Sequence, residues 1–365
     1  MHTLMTHPPK VITHGWLDSV TWVDGGLCLV GSAFSPDGGL IDSFLAFVGD
    51  REFRPDSVRT GLPSPHMVKF LPGTPRGCEN AGFGLRVEDP KAEFEQVEDK
   101  LFGVLPRSAE RDGHLLLRVE NPSLSVPSEA ETETIGSWFV VGQEFLPLIV
   151  QLGQLQPWED VLDVGCGLGR IGYFLAYYLQ PTARYEGFDI VASNIGIARR
   201  NIAPRHPNFR FQQTDVYNRR YNPGGKIHAQ EFRFPYAEAS FDFILLTSVF
   251  THMLAAEVEH YAKEVRRVLR PGGRVLVTCF LLEQEVRELI ELGRTGISPR
   301  HEHSPGCWVE SREMPESAVA YDRELFLGFF LKLGLELRWD HPGAWCGRMR
   351  YRSYQDLLIF NLPRR

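Results

Sequence analysis

The sequence predicts two domains of different class: a small all-β sandwich over residues 1–120 and an α/β domain with a parallel, doubly wound sheet over residues 135–365. Three observations carry this. Short apolar runs separated by Gly and Pro turns fill the first third. The stretch NPSLSVPSEAETET, with almost no apolar content, then reads as a linker over 121–134. Beyond it, strand and helix patterns alternate strictly, which implies βαβ crossovers and a sheet covered on both faces.

In the front part, SVTWVDG, LCLVGSAF, DSFLAFVGD and HLLLRVE are the strand candidates, in an immunoglobulin-like arrangement. DGG at 24–26 and PDGG at 36–39 supply the positive-φ positions of tight hairpins. EFEQVEDKL is the first stretch with helical length and period. No cluster of titratable residues suggests an active site here.

In the second part, VLDVG, YEGFDI, FRFQQTDV, FDFILLTSV and RVLVTCFL are strands, and IGYFLAYYL, SNIGIARRNI and EVEHYAKEVRRVL are the helices between them. GSWFVVGQEFLPLIVQLGQLQP precedes the first strand as a helix expected over the ligand mouth, with Trp138, Phe139 and Gly142 closing that side. About forty extra residues follow the fifth strand, an insertion at about 281–320 of the kind that shapes an acceptor pocket as a lid. HPGAWCGRMRYRSYQDLLIF supplies the last two strands around a turn.

The chain has 365 residues, 43% hydrophobic and 23% charged, so its cores need no metal or disulfide staple. A net charge of -7 without basic runs argues against nucleic acid as a partner. No apolar stretch has the length of a membrane span or a secretion signal, so a cytoplasmic protein is expected. Cys28, Cys78, Cys166, Cys279, Cys307 and Cys346 show no CxxC spacing and read as free thiols.

The chemistry starts at VLDVGCGLGR, residues 161–170. In a doubly wound sheet the ligand sits at the carboxyl ends of the strands, where a Gly-rich turn lets the backbone approach it. Gly165, Gly167 and Gly169 form that turn, but Arg170 interrupts the GxGxxG dinucleotide pattern and no Lys followed by Ser or Thr completes a phosphate loop. Asp163, two residues before the first glycine, is placed to receive an amino-acid ammonium through ordered water or neighbouring backbone, and would repel a pyrophosphate. Asp189, twenty residues beyond Gly169, has the reach for ribose hydroxyls, and Asp215 ends the third strand within reach of an adenine amino group. One carboxylate per strand suits S-adenosylmethionine.

On VLDVGCGLGR, YEGFDI, FQQTDVYN, FPYAEASFDFILLTSVF and VLRPGGRVLVTCF, residues 135–365 resemble the class I S-adenosylmethionine-dependent methyltransferases, which have a Rossmann-like seven-stranded sheet. The resemblance implies that Asp163, Gly165, Gly167 and Gly169 line the methionine part, Asp189 the ribose, and Asp215 and Val216 the adenine, with Ile190 a further cofactor-binding residue. It further implies that Leu246 and Thr247 lie under the sulfonium. YNPGG (221–225), SVFTHM (248–253) and a closing GAWCGR followed by YQD look like a bacterial subgroup of that family. No [DN]PP[YF] element follows the fourth strand, which weighs against a nucleic-acid methyltransferase.

The expected reaction is O-methylation of a small-molecule or sugar hydroxyl by in-line transfer. The alternative class is a catalytically silent cofactor-binding protein whose sandwich recruits a partner. His252, following the fourth strand, is the candidate general base, or else a histidine that caps or underlies the next helix. His260 on that helix is a residue for core or solvent, and Arg266 and Arg267 read as a solvated face.

Trp308, Tyr321, Trp345 and Arg348 are acceptor-pocket candidates, as rings that stack on an acceptor and a guanidinium that orients an anion; the plain alternative for the tryptophans is core. His301, His303 and Cys307 lack the second cluster a metal site needs, so no metal is expected. The front domain is similar, more loosely, to β-sandwich modules attached to bacterial glycosyltransferases and surface-sugar enzymes. That implies a carbohydrate acceptor, with a packing module or a homodimer contact as the alternative.

Overall fold

The computed structural model describes residues 14–35, 41–48, 51–64, 80–88, 100–108, 111–120, 122–132, 138–348, 351 and 353–364. By internal contact the chain divides into two compact units, Met1–Gln156 with Tyr173–Leu179, and Pro157–Gly172 with Gln180–Arg365. The segment after the expected 121–134 linker, including the helix Trp138–Pro147, therefore groups with the front unit.

The first unit holds β1 (His14–Val23), β2 (Gly26–Phe34), β3 (Ser43–Val48), β4 (Arg51–Phe53), β5 (Ser57–Leu62), β6 (Gly82–Glu88), β7 (Lys100–Ser108), β8 (Arg111–Asp112) and β9 (Leu116–Glu120). They form two antiparallel sheets, β1-β2-β6-β5 and β4-β3-β7-β8, with β9 also paired to β7. The β1–β2 hairpin turns at Asp24 and Gly25, whose φ values of 49° and 76° are what DGG was expected to supply. PDGG at 36–39 and most of EFEQVEDKL lie outside the described residues. Leu27, Leu29, Phe83 and Leu85 from one sheet pack with Phe44, Ala46, Phe102 and Val104 from the other in one buried cluster. One face of each sheet thus feeds a shared core, while Leu45, Phe47, Leu101 and Leu105 on the other face of β3 and β7 are buried as well.

Trp138 is buried in this unit, edge-on to Tyr173 at a centroid distance of 4.9 Å, so it serves a core and not the lining of a mouth. The side chain of Phe139 lies outside the described residues. Gln151, a buried amide, accepts the amide of Leu115 at 2.8 Å and donates to the carbonyl of Gly113 at 2.9 Å, which removes the cost of burying it.

The second unit is built on β10 (Val161–Val164), β11 (Tyr185–Asp189), β12 (Phe209–Gln213), β13 (Phe241–Leu246), β14 (Leu269–Cys279), β15 (Leu281–Leu282), β16 (His301–Ser304), β17 (Cys307–Val309), β18 (Val319–Asp322), β19 (Glu336–His341) and β20 (Asp356–Asn361). Its main sheet has the order β12-β11-β10-β13-β14-β20-β19. β12 through β14 run parallel, and β20 enters antiparallel between β14 and β19. The order reverses between β10 and β13, which opens a crevice at their carboxyl ends.

Every residue of β10 is buried, as a strand covered on both faces requires. The helices Ala192–Asn201 and Ala255–Val268 supply covering faces, the second through Val258, Tyr261, Ala262, Val265 and Val268. At the opposite, amino end of the sheet, Arg270 pairs with Asp160 at 2.9 Å and with Asp242 at 2.5 Å, joining the starts of β10 and β13.

The expected lid insertion at 281–320 forms a small sheet of its own, β15-β18-β17-β16, with the helix Gln284–Glu291 between β15 and β16. Cys307, Val309, Val319 and Tyr321 of this sheet belong to the buried cluster of the main unit, so that face is anchored. Among the described residues no helix is long and apolar enough to cross a membrane.

Candidate functional site

The Gly-rich turn leaves β10 with Gly165, Gly167 and Gly169 at φ values of 71°, 55° and 79°. L-residues with a side chain avoid this region, so the three glycines are a conformational requirement. Gly165 is also required by space, because a Cβ there would lie 2.6 Å from Val249 Cγ2. At Gly167 the corresponding position is open.

The turn is pinned to β11: the amides of Gly165 and Cys166 donate to the carbonyl of Phe188 at 2.8 and 3.0 Å, and the amide of Gly167 donates to Asp189 Oδ2 at 2.9 Å. Asp189 Oδ1 accepts the amide of Val191 at 2.8 Å. Burial raises the pKa of this carboxyl, while those amide bonds oppose the rise. The carboxylate has four lone-pair sites, so it keeps acceptor capacity beyond these bonds for a ribose hydroxyl.

Asp163 sits differently from its expected place. It is 1% exposed, under the turn, with Tyr185 donating to its Oδ2 at 2.6 Å and no partner at Oδ1. Burial pushes its pKa up to about 7. Any contact with a ligand in the crevice would therefore run through backbone or water, as expected, and not directly from the carboxylate.

Of the other expected cofactor residues, Asp215 has an exposed side chain while its carbonyl accepts the amides of Lys226 and Ile227, both at 3.0 Å. Val216 is buried and bridged to Ile227, and Ile190 packs on the core edge. Leu246, expected under the sulfonium, is fully buried in the core, and Thr247 is 9% exposed.

After β13 the chain reverses at Ser248, a non-glycine residue at φ 58°. Its amide donates to Thr278 Oγ1 at 2.8 Å and its hydroxyl to Gln355 Oε1 at 3.2 Å, while Thr278 Oγ1 donates to the same Gln355 oxygen at 2.5 Å. This cross-brace from β14 and the start of β20 holds a strained turn at the crevice, a place where such strain is commonly found.

His252 follows on a 3-10 turn, Phe250–His252. Its Nδ1 is 2.8 Å from the carbonyl of Glu316 and its Nε2 is 3.3 Å from the Tyr221 hydroxyl. Burial lowers its pKa, so the ring is neutral at pH 7. YNPGG thus belongs beside SVFTHM, with Gly225 packed so close to the backbone of Val216 and Tyr217 that a Cβ would lie 2.5 Å from an amide nitrogen.

The acceptor-pocket candidates are each engaged by the protein's own groups. Tyr321 is fully buried and donates to the carbonyls of Phe250 (2.7 Å) and Met253, so it supports the His252 turn from below. Trp345 is 1% exposed, with Nε1 donating to Asp356 Oδ2 at 2.7 Å. Arg348 is held by Glu283, Glu285 and Asp356 at 3.2, 3.2 and 3.3 Å, which commits its guanidinium to the protein's own carboxylates. Trp308 is partly exposed, donating to Asp322 Oδ1 at 3.0 Å beneath the guanidinium of Arg287.

Arg267, read as part of a solvated face, is instead bound to Glu264 and to the carbonyls of Phe234 and Tyr236. His260 bonds the carbonyl of Phe232 at 2.9 Å. Among the described residues no three His, Cys, Asp or Glu side chains converge as metal ligands, and Cys28, Cys166, Cys279, Cys307 and Cys346 are free thiols.

Sequence reasoning missed Asn218, Gln355 and Asp356 as organising residues. The last two lie in the quoted YQD element, but the partners of Gln355, and Leu281 among those of Asp356, are 75 or more positions away.

Residues 161–273 match a family model described as a methyltransferase domain. The chain is similar to the 27-O-demethylrifamycin SV methyltransferase of Amycolatopsis mediterranei, 30% identical over 35% of this chain and 41% of the relative. It is also similar to the fatty-acid O-methyltransferase of Mycolicibacterium smegmatis, 36% identical over 33% of this chain and 36% of the relative. A third is the arsenite methyltransferase of Halobacterium salinarum, 30% identical over 34% and 28%. The chain thus spans less than half the length of each of these curated relatives, and the acceptors in their names differ in kind.

Proposed function

We propose that this chain, whose residues 161–273 form a class I methyltransferase domain, is an S-adenosylmethionine-dependent enzyme that methylates a hydroxyl of a small molecule or sugar. The observation that carries the reading is the turn of three positive-φ glycines pinned to Asp189 at the point where the strand order reverses. Bound there, S-adenosylmethionine would supply an electrophilic methyl group on a sulfonium.

The residues present fit that cofactor. The open side of Gly167 allows close approach, and the remaining lone pairs of Asp189 suit vicinal hydroxyls. Asp215, exposed at the end of β12, suits an amino purine. The enzyme's task in such a transfer is chiefly alignment. The braced turn at Ser248 supports that task by fixing the backbone after β13, and neutral His252 is available for the acceptor's proton. We read the front unit as a β-sandwich module that engages a glycan acceptor or a second copy of the chain.

Calorimetric titration of the full chain with S-adenosylmethionine, S-adenosylhomocysteine and NADH tests the reading. Binding of the first two, weakened at least about tenfold by Asp189→Ala, or ~1.4 kcal/mol, supports it. Binding of NADH alone, or of none, overturns it. A radiolabelled methyl-transfer screen starting with sugars then addresses the acceptor.

A further inference from the structure

The carbonyl oxygen of Glu316 can only accept, so His252 Nδ1, 2.8 Å from it, carries the hydrogen of the neutral imidazole. The lone pair is therefore on Nε2. That nitrogen faces the Tyr221 hydroxyl at 3.3 Å, with the rings edge to face at 5.1 Å and 79°. Tyr221 is 42% exposed, more than the half-buried His252.

One residue ties the two backbones together. Asn218 Oδ1 accepts the amide of Tyr221 at 3.0 Å, and Asn218 Nδ2 donates to the carbonyl of His252 at 3.1 Å. From the other side Arg220 lies over the Tyr221 ring at 5.2 Å and donates to the carbonyl of Ser317 at 3.0 Å. The charged groups that act on the pair are Arg220, which lowers both pKa values, and Asp189, which raises that of Tyr221. At neutral pH burial keeps the phenol protonated and the imidazole unprotonated.

We propose that Tyr221 and His252 form a proton relay, in which the phenol oxygen takes the acceptor's hydroxyl proton as it passes its own to His252 Nε2, with Asn218 positioning the pair. The relay rests on the methyl-transfer reading. The acceptor oxygen keeps the electron pair of its O–H bond and uses it to bond the methyl carbon, while the carbon–sulfur pair stays with sulfur. The products are the methyl ether, the neutral thioether and an imidazolium. Arg220 disfavours that imidazolium, so the proton returns to solvent and the pair is reset.

Two measurements on the full chain test this. In the first, 15N-histidine NMR, with the His252 signals assigned from His252→Gln, reads the tautomer without any acceptor. The relay requires hydrogen on Nδ1, and Tyr221→Phe must shift the Nε2 resonance toward that of an unbonded nitrogen. Hydrogen on Nε2 in the neutral ring overturns the relay.

The second compares turnover of hydroxyl acceptors (methyl α-glucoside, 1-octanol, phenol) with that of thiophenol, which ionises unaided near neutral pH. Tyr221→Phe and His252→Gln are expected to slow the hydroxyl reaction about a hundredfold or more and to change the thiolate reaction by less than about threefold, with the KM for S-adenosylmethionine unchanged. Asn218→Ala lowers kcat on hydroxyls in the same selective way. Equal losses on both acceptor types, or full activity of Tyr221→Phe, overturn the relay. Methylation of thiophenol but of no hydroxyl overturns the relay and leaves methyl transfer standing. No transfer to any of them by the wild type overturns the methyl-transfer reading itself.

Discussion

Asp189 Oδ2 accepts the amide of Gly167 at 2.9 Å, so the carboxylate that ends β11 fixes the middle of the turn that leaves β10. Removing it leaves the Gly167 and Val191 amides without their acceptor. Asp189→Ala is expected to lose about 1–3 kcal/mol of stability in denaturant titrations, beyond its loss of cofactor affinity. Asp189→Asn, which retains one acceptor oxygen, is expected to fall between it and the wild type.

Gly165 is constrained twice, by its φ of 71° and by Val249 Cγ2 at 2.6 Å from where a Cβ would stand. Gly165→Ala is expected to abolish cofactor binding and to destabilise the unit by more than the roughly 1–2 kcal/mol of left-handed strain alone. Adding Val249→Ala relieves the contact but not the strain. A double-mutant cycle on unfolding free energy should therefore show a favourable coupling between the two substitutions. Additive losses would mean that the contact costs nothing.

Asp163 gives the unit a pH signature. Its folded pKa of about 7 lies above the ordinary 3.8 because burial disfavours the carboxylate. The fold therefore prefers the protonated acid: the stabilisation is full below about pH 4 and is lost as pH rises toward 7. Asp163→Asn removes this dependence. The stability of the variant minus that of the wild type is expected to climb by roughly 1.4 kcal/mol per pH unit across that window and then level off. A flat difference from pH 4 to 7 would contradict the assignment.

Arg348 neutralises the buried carboxylate of Asp356, which itself accepts the amides of Leu281 and Gly343 and the indole of Trp345. Arg348→Ala is expected to cost about 3 kcal/mol, read from the urea midpoint, because it strands a buried charge. Arg348→Lys should recover less than half of that, since a compact ammonium cannot reach all three carboxylates.

The sequence announced the parallel sheet and its glycine turn because both are local: Gly165, Gly167 and Gly169 are spaced as the turn needs, and a buried strand such as VLDV reads as a continuous apolar run. What it hid is non-local. Whether Leu246 or Tyr321 faces a crevice or a core depends on a register that neighbouring positions do not encode. Arg348 looked like an anion receptor because Glu283 and Glu285 come to it from 65 and 63 positions away. The Tyr221–His252 contact spans 31 positions and two loops, so YNPGG and SVFTHM stood as separate elements.

The place of β20 in the main sheet has a consequence for biosynthesis. Residues 356–361 slot between β14 and β19, so a nascent chain on the ribosome carries both neighbours before the strand that joins them exists. Until then β14 presents an open edge of Val275, Leu276 and Val277, a template for pairing with other chains. A ribosome that stalls within the six codons of this strand would release a polypeptide with an adhesive seam down the middle of its main sheet, a natural client for chaperones.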